Sequence, residues 1–127
     1  MSKSSENSIA TQVMAESSKI LEKWQELPQL DLHLKSMRTV VAPEISKKVF
    51  ALCRAYFRHR ASVDATILSY CSKKPKRRVF QVLRIAFFQI MHQSALPKEV
   101  VTDVAVSWAK TKLNRHEANF INGVLRN

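Results

Sequence analysis

The amino-acid sequence predicts an all-α fold, a single compact helical bundle of about seven helices. Only one glycine, Gly123, occurs in 127 residues, whereas β-rich and α/β folds use glycine in turns, bulges and phosphate-binding loops. Hydrophobic residues make up 46% of the chain and recur at helical spacing, which is enough to build a core. We therefore expect one domain over residues 1–127, with the polar residues 1–6 disordered.

The first part of the chain is predicted to hold two helices, over about 6–26 and 29–37. The residue before a proline avoids the helical conformation, so Leu27-Pro28 ends the first helix. The apolar residues of the two helices recur at roughly helical spacing: Ile9, Val13, Ile20, Leu21 and Trp24 in the first, and Leu30, Leu34 and Met37 in the second.

The third predicted helix has two chemically distinct faces. It begins at Pro43, since a proline in the first turn of a helix removes no hydrogen bond. At 100° per residue one narrow face is apolar and the opposite face is cationic. The apolar residues are Ile45, Val49, Leu52 and Tyr56, and the cations are Lys47, Arg54 and Arg58. A fourth helix over about 61–71 carries Val63, Ile67, Leu68 and Tyr70.

The fifth predicted helix, over about 75–93, is apolar almost all round, which is typical of a central buried helix. Arg84 lies within it. Because an unpaired buried guanidinium is very unfavourable, we expect Arg84 to form an ion pair with Asp64 or Asp103.

Two further helices are predicted to complete the chain, over about 97–112 and 115–126. Leu96-Pro97 restarts the chain into the first of them. Asn114, with Glu117 three residues later, resembles a capping arrangement for the second. The expected core residues of this last helix are Phe120, Ile121, Val124 and Leu125.

The charge of the chain is strongly positive and unevenly distributed. The formal net charge is +11, and residues 1–40 contribute nothing to it because they carry five Lys/Arg and five Asp/Glu. Residues 47–98 contain twelve basic residues and one acid, Asp64. A surface designed for solubility alone has mixed signs. We therefore expect a polyanionic partner, with nucleic acid favoured over an acidic protein or a membrane surface.

Two groups of cations are the candidate RNA-binding residues. The first, called the basic loop below, occupies the entry to the fifth predicted helix: Lys73, Lys74, Lys76, Arg77 and Arg78. The dipole of a helix disfavours cations at its start, whereas free N–H groups and cations together suit a phosphate. The second, the basic stripe, consists of Lys47, Arg54 and Arg58, with His59 and Arg60 beyond it. A solvated charged surface is the alternative for both groups. Lys110, Lys112, Arg115 and His116 form a third, weaker group.

The sequence gives little support to catalysis. The four histidines have no metal-ligand spacing, and a chain with one glycine has no glycine-rich phosphate loop. We therefore expect no enzyme activity, no cofactor and no metal. Cys53 and Cys71 form no C-x-x-C pair and are expected to be small buried residues in a reducing compartment. No signal peptide or membrane-spanning stretch is visible, which predicts a cytoplasmic location and no membrane partner.

Four stretches of the sequence resemble the motifs of one family. Residues 119–126 read N-F-I-N-G-V-L-R, where the last helix of that family reads F-[IV]-N-[AG]-V-L-[RD]. Residues 83–90 are similar to L-R-L-G-A-Y-Q-L, and residues 97–110 to P-P-H-A-A-V-N-E-A-V-E-L-A-K. Residues 55–58, followed by Val63-Asp64, resemble G-V-L-R followed by L-D. The family comprises NusB and the NusB-like N-terminal domain of the Sun (RsmB) rRNA cytosine-5 methyltransferases.

The resemblance covers residues 43–127 well and residues 1–42 only by helix order. Ala55 and Ala86 replace two glycines of the family, and Val104 stands where a glutamate is usual. The N-terminal segment of NusB is arginine-rich and contributes to RNA contact, whereas residues 1–37 contain no arginine. The charge distribution therefore moves the expected RNA surface to residues 41–127.

The resemblance implies a NusB-like fold and RNA binding in transcription elongation and antitermination, or on ribosomal RNA. The RNA would be single-stranded or ribosomal. One alternative is the RNA-recognition domain of a 16S rRNA cytosine-5 methyltransferase that lacks its catalytic domain, because that domain would follow Asn127. Another is a protein-interaction module that pairs with the ribosomal small-subunit protein NusE. The resemblance is also compatible with a homodimer.

Overall fold

The computed structural model describes residues 2–23, 35, 42–93 and 96–126. This part of the chain is all-helical: it holds six helices and no strand, which confirms the predicted all-α class. The short helix predicted over 29–37 lies outside the described residues apart from Lys35, and the structure describes the other six of the seven expected helices. They are α1 (Ser2–Lys23), α2 (Pro43–Arg58), α3 (Arg60–Ser69), α4 (Arg77–His92), α5 (Lys98–Lys112) and α6 (Arg115–Arg126).

Two helix starts differ from the predicted ones by two residues or more. Helix α1 begins at Ser2, four residues before the predicted start, and so includes the polar residues 2–5. Extending a helix that is already anchored by packing fixes one residue per hydrogen bond, which makes polar residues such as these acceptable in it. Helix α4 begins at Arg77 rather than at residue 75, because Lys76 has an extended backbone with ψ of 154°.

Helix α6 is capped as the sequence predicts. The Glu117 backbone N–H donates to Asn114 Oδ1 at 2.8 Å, and Asn114 Nδ2 donates to Glu117 Oε1 at 2.7 Å. One of the free N–H groups at the start of the helix is thereby satisfied. This cap fixes the turn between α5 and α6, which places the exposed cations on either side of it.

Helix α4 is the centre of the core, as its apolar sequence predicts. It packs against each of the other five described helices. Leu83, Ile85 and Ala86 are completely buried although they point in different directions around the helix. Burying a leucine or isoleucine side chain stabilises a fold by roughly 1.5–3 kcal/mol, so every side of α4 contributes.

Contacts near the helix ends give the relative directions of two helix pairs, α1 with α4 and α5 with α6. Glu22, at the end of α1, contacts Arg77 and Arg78 at the start of α4. Ile9, near the start of α1, shares a groove with Gln93 just after the end of α4, so the two helices run antiparallel. Helices α5 and α6 are also antiparallel, because Asp103 near the start of α5 contacts Arg126 at the end of α6.

Three large apolar side chains, two near the end of α3 and one in α6, lie at the surface. Phe120, expected in the core, is 40% exposed, and Leu68 and Tyr70 are 42% and 48% exposed. The buried side of α6 carries Ala118, Ile121, Val124 and Leu125. Phe120 lies about 40° beyond Val124, at the edge of this side, so its ring is only partly covered.

Replacing Gly123 by alanine is expected to raise the free energy of unfolding by about 0.5–1 kcal/mol. Gly123 is exposed within α6, and a Cβ added to it would meet nothing within 4 Å. Alanine restricts the unfolded chain and suits a helix better than glycine does. Urea unfolding followed by circular dichroism measures the change, with Asn119→Ala as a control at an exposed neighbour. A lower stability of the Gly123→Ala variant would contradict the open surroundings seen here.

Candidate nucleic-acid interface

Arg84 forms the predicted ion pair, and its partner is Asp64. Arg84 Nε lies 3.1 Å from Asp64 Oδ1 and Nη2 lies 3.0 Å from Oδ2, a bidentate geometry. The third nitrogen, Nη1, donates to Gln81 Oε1 at 3.0 Å. The guanidinium also lies over the Phe80 ring, 4.2 Å from its centroid. Each of the three guanidinium nitrogens thus has a protein partner, which makes Arg84 a structural residue.

The same carboxylate connects a third helix to this network. The Tyr56 hydroxyl donates to Asp64 Oδ1 at 2.9 Å. Burial raises the pKa of Tyr56, the Arg84 charge opposes that rise, and the Asp64 charge adds to it. The phenol therefore stays protonated and keeps donating. Helices α2, α3 and α4 are joined at this one point, which sets the corner between α2 and α3 on the end of α4.

The basic stripe lies on the outer side of α2, as predicted. Lys47, Arg54 and Arg58 are exposed, whereas Val49 and Leu52 on the inner side are buried. The stripe includes a cation–π contact, in which the Arg54 guanidinium lies 5.3 Å from the centroid of the Phe50 ring. Arg60, at the start of α3, pairs weakly with Asp64: the Nε–Oδ2 distance is 4.0 Å and the arginine side chain is half exposed.

The structure divides the basic loop into two parts. Arg77 donates to the backbone carbonyl of Glu22, and Arg78 Nε lies 3.5 Å from Glu22 Oε1. The last carbonyls of a helix lack partners within it, so Arg77 caps the end of α1. The three lysines, Lys73, Lys74 and Lys76, are exposed and form no ion pair with any residue that the structure describes. The sequence places all five cations together but does not reveal this division.

The basic loop and the corner that ends the basic stripe lie at opposite ends of α4. The loop leads into Arg77, the first residue of α4, and His92 is the last. His92 contacts His59, which follows the stripe at the end of α2. Fifteen residue steps of an α-helix span about 22 Å. The two groups therefore offer separate places for an anion, not one continuous patch.

The third cationic group gains an aromatic member that sequence reasoning missed. Lys110, Lys112, Arg115 and His116 are all exposed around the turn between α5 and α6. Phe120 is exposed one helical turn after His116, on the same side of α6. An exposed aromatic ring beside cations suits an unpaired nucleobase next to its phosphate. The sequence signal for its exposure is the position of Phe120 at the edge of the apolar side of α6.

The two cysteines have different surroundings. Cys53 is fully buried, and burial raises the pKa of its thiol to about 12. Cys71 lies partly exposed after α3, and burial raises the pKa of its thiol as well. The prediction that both are buried therefore holds for Cys53 alone. Neither thiol has the lowered pKa of a nucleophilic cysteine.

The described residues contain no group of three or more histidine, cysteine, aspartate and glutamate side chains arranged to hold a metal ion. None of the described helices is long and apolar enough to cross a membrane.

Fold and surface together define an all-helical bundle that surrounds one apolar helix and presents groups of exposed cations. The sequence model of the NusB family matches residues 8–127, and the chain belongs to that family. This finding confirms the resemblance inferred from the helix motifs.

The chain is also similar to curated proteins called "Transcription antitermination protein NusB". The protein from Dehalococcoides mccartyi strain 195 is 34% identical over 86 residues, which cover 65% of this chain and 60% of that protein. The protein from strain CBDB1 is 35% identical over 81 residues, or 61% and 57%. The protein from Levilactobacillus brevis is 33% identical over 72 residues, or 53% and 51%. The chain thus spans between half and three fifths of the length of these relatives.

Asp64→Ala is expected to lower the free energy of unfolding by about 2–4 kcal/mol, because it leaves the mostly buried Arg84 guanidinium without its counter-charge. The two side chains are only 16% and 18% exposed. Asp103→Ala is the matched control, since it removes the exposed pair with Arg126 and should change stability by less than about 1 kcal/mol. Chemical denaturation of the two variants measures the difference. Equal losses of unfolding free energy would show that the Asp64–Arg84 pair contributes no more to stability than the exposed Asp103–Arg126 pair.

Titration of the native protein with a thiol reagent at about pH 8.5 is expected to modify Cys71 and to spare Cys53. Cys53 is buried with a pKa of about 12, so its thiolate is scarce and inaccessible, and it should react only after denaturation. Mass spectrometry of the modified peptides assigns the site. Rapid labelling of Cys53 in the folded protein would contradict the packing between α1 and α2.

Proposed function

We propose that this chain binds single-stranded RNA in transcription antitermination, and that the basic loop is its main phosphate contact. The observation that carries the proposal is the state of Lys73, Lys74 and Lys76. They are exposed, adjacent and without a carboxylate partner among the described residues. Like charges held this close repel one another, and a phosphate backbone relieves the repulsion.

Within the basic loop we assign different roles to the lysines and the arginines. The three lysines bind phosphates as mobile point charges. Arg77 and Arg78, expected from the sequence to bind phosphate directly, contact Glu22 and hold the loop against the end of α1. Their charge still adds to the local positive potential, so they support binding mainly by positioning the loop.

The other cationic groups would extend the contact along the strand. Lys47, Arg54, Arg58 and Arg60 would supply a second line of phosphate ligands, which leads to the corner at the other end of α4. Phe120 supplies an exposed ring beside His116 on which a base can stack. A bound strand would then follow the surface from one group to the next instead of lying on a single patch.

Transcription is favoured over ribosomal RNA modification as the setting. The relatives named above are antitermination proteins, and none of the three is called a methyltransferase. Recognition of RNA for an rRNA methyltransferase remains the alternative role for the same surface. A non-enzymatic protein in the cytoplasm fits the antitermination role.

A second candidate function is a protein-binding module, with NusE or a second copy of this chain as partner. The observation in its favour is the exposure of Leu68 and Tyr70 at the end of α3. The Tyr70 ring lies against Phe87, with 5.9 Å between the ring centroids, so an apolar surface continues inward from it. A protein partner at this site and RNA at the basic loop are compatible, because they use different residues.

Lys73→Ala combined with Lys74→Ala is expected to weaken RNA binding and to reduce the slope of log affinity against log salt concentration by about 1.4. Each phosphate contact with a single strand contributes about 0.7 to that slope through counterion release. Fluorescence anisotropy with a labelled, unstructured RNA at several salt concentrations measures both quantities. Circular dichroism should show an unchanged fold, since neither lysine is buried.

The matched control for this experiment is the pair Lys19→Ala and Lys98→Ala. It removes the same charge from exposed positions outside the three cationic groups. The control should keep a slope close to that of the unmodified protein. An RNA affinity of the unmodified protein that does not depend on salt, or the same reduction of the slope in both variants, would overturn the proposed phosphate site.

A further inference from the structure

Two histidines stack on each other at the corner between α2 and α3. The ring centroids of His59 and His92 are 4.1 Å apart and their planes differ by only 18°. His59 separates α2 from α3, whereas His92 is the last residue of α4. Both side chains are exposed. The result is a small aromatic surface made from two distant parts of the sequence.

A buried ring supports this surface from within. Phe88 is 2% exposed, and its centroid lies 5.3 Å from that of His92 and 6.0 Å from that of His59. The Phe88 plane is tilted by 32° to both imidazoles. The two imidazoles are thus braced from the core side before any ligand arrives.

The backbone of His59 is fixed as well. Its N–H donates to the Tyr56 carbonyl at 2.9 Å. Its own carbonyl accepts from the Val63 N–H at 3.0 Å and from Ser62 Oγ at 3.1 Å. The residue therefore ends one helix and begins the next with little freedom to move. Such preorganisation lowers the entropy lost when a ligand binds.

The corner is cationic. Arg58 and Arg60 flank His59 in the sequence, and both are exposed. The only acid between residues 45 and 98 is Asp64, whose charge is shared by Arg84, Tyr56 and, at the longer distance of 4.0 Å, Arg60. Exposed aromatic rings between cations are the arrangement that binds single-stranded nucleic acid, where rings stack on bases and cations hold phosphates.

We propose that His59 and His92 form a stacking platform for one unpaired base of the bound RNA, with Arg58 and Arg60 on the adjoining phosphates. This inference rests on the proposed RNA-binding function and adds the residues that read an exposed base. The basic loop, at the other end of α4, binds phosphates without such a platform. The strand is therefore held by charge at one end of α4 and by stacking at the other.

The test compares double variants that remove or keep the rings, with an RNA of about 12 unpaired nucleotides as the probe. One 2-aminopurine base is moved along the RNA, because its fluorescence reports stacking. His59→Ala with His92→Ala should lose the position-specific fluorescence change and weaken binding roughly 5- to 150-fold. His59→Phe with His92→Phe should retain both, because phenyl rings stack as well. The salt slope should stay the same in all three proteins.

Two controls separate a loss of the platform from a loss of the fold. Met91→Ala trims an exposed neighbour of His92 without removing a ring, and it should bind RNA as the unmodified protein does. Thermal unfolding shows whether the alanine pair still folds. If it does not, ring signals of His59 and His92 in the unmodified protein are followed by NMR during RNA titration, and the platform requires them to shift.

The outcomes for the two proposals are distinct. A folded alanine pair that binds RNA like the unmodified protein overturns the platform and leaves the proposed function intact. Histidine ring signals that stay unchanged at saturating RNA do the same. An unmodified protein that does not bind RNA at all overturns the proposed function itself.

Discussion

The bidentate pair between Arg84 and Asp64 is the constraint on which the arrangement of α2, α3 and α4 depends. Helix α4 is apolar on nearly every side and has to be surrounded, yet it carries a guanidinium that tolerates burial only beside a carboxylate. Asp64 supplies that carboxylate from α3, and Tyr56 binds the same carboxylate from α2. Because three helices meet at one charge, the short turn at His59 is held near the end of α4, where His59 contacts His92.

This pair also shapes the surface electrostatics. One acidic residue occurs in the long basic stretch of the chain, and the core uses it to neutralise one arginine. The other cations of that stretch either face solvent or form contacts at the edge of the bundle, as Arg77 and Arg78 do with Glu22. A protein with one more carboxylate near α2 or α4 would have a weaker positive field and the same fold. Core stability and anion affinity are therefore set by different residues of one region.

Much of the fold could be predicted from the sequence, because the local spacing of apolar and polar residues indicates which side of each helix is buried. The two faces of α2, the burial of α4 and the cap at Asn114 all follow from spacing within a few residues. The need for an opposite charge limits the predicted partners of Arg84 to two acids, Asp64 and Asp103. The rest depends on long-range packing. The contacts of Arg77 and Arg78 with Glu22, the meeting of His59 with His92 and the exposure of Phe120 depend on how helices distant in sequence are placed.

The length of α4 has a consequence for how a strand would be held. With cations at its start and aromatic rings at its end, about 22 Å apart, an RNA has to be long enough to reach both. In the proposed binding mode, once one end were bound, the other would meet its site at a high effective concentration, and the two contacts would reinforce each other. Shorter fragments would engage one end only. The length of α4 would then set a minimum strand length, a criterion of selection that requires no recognition of base identity.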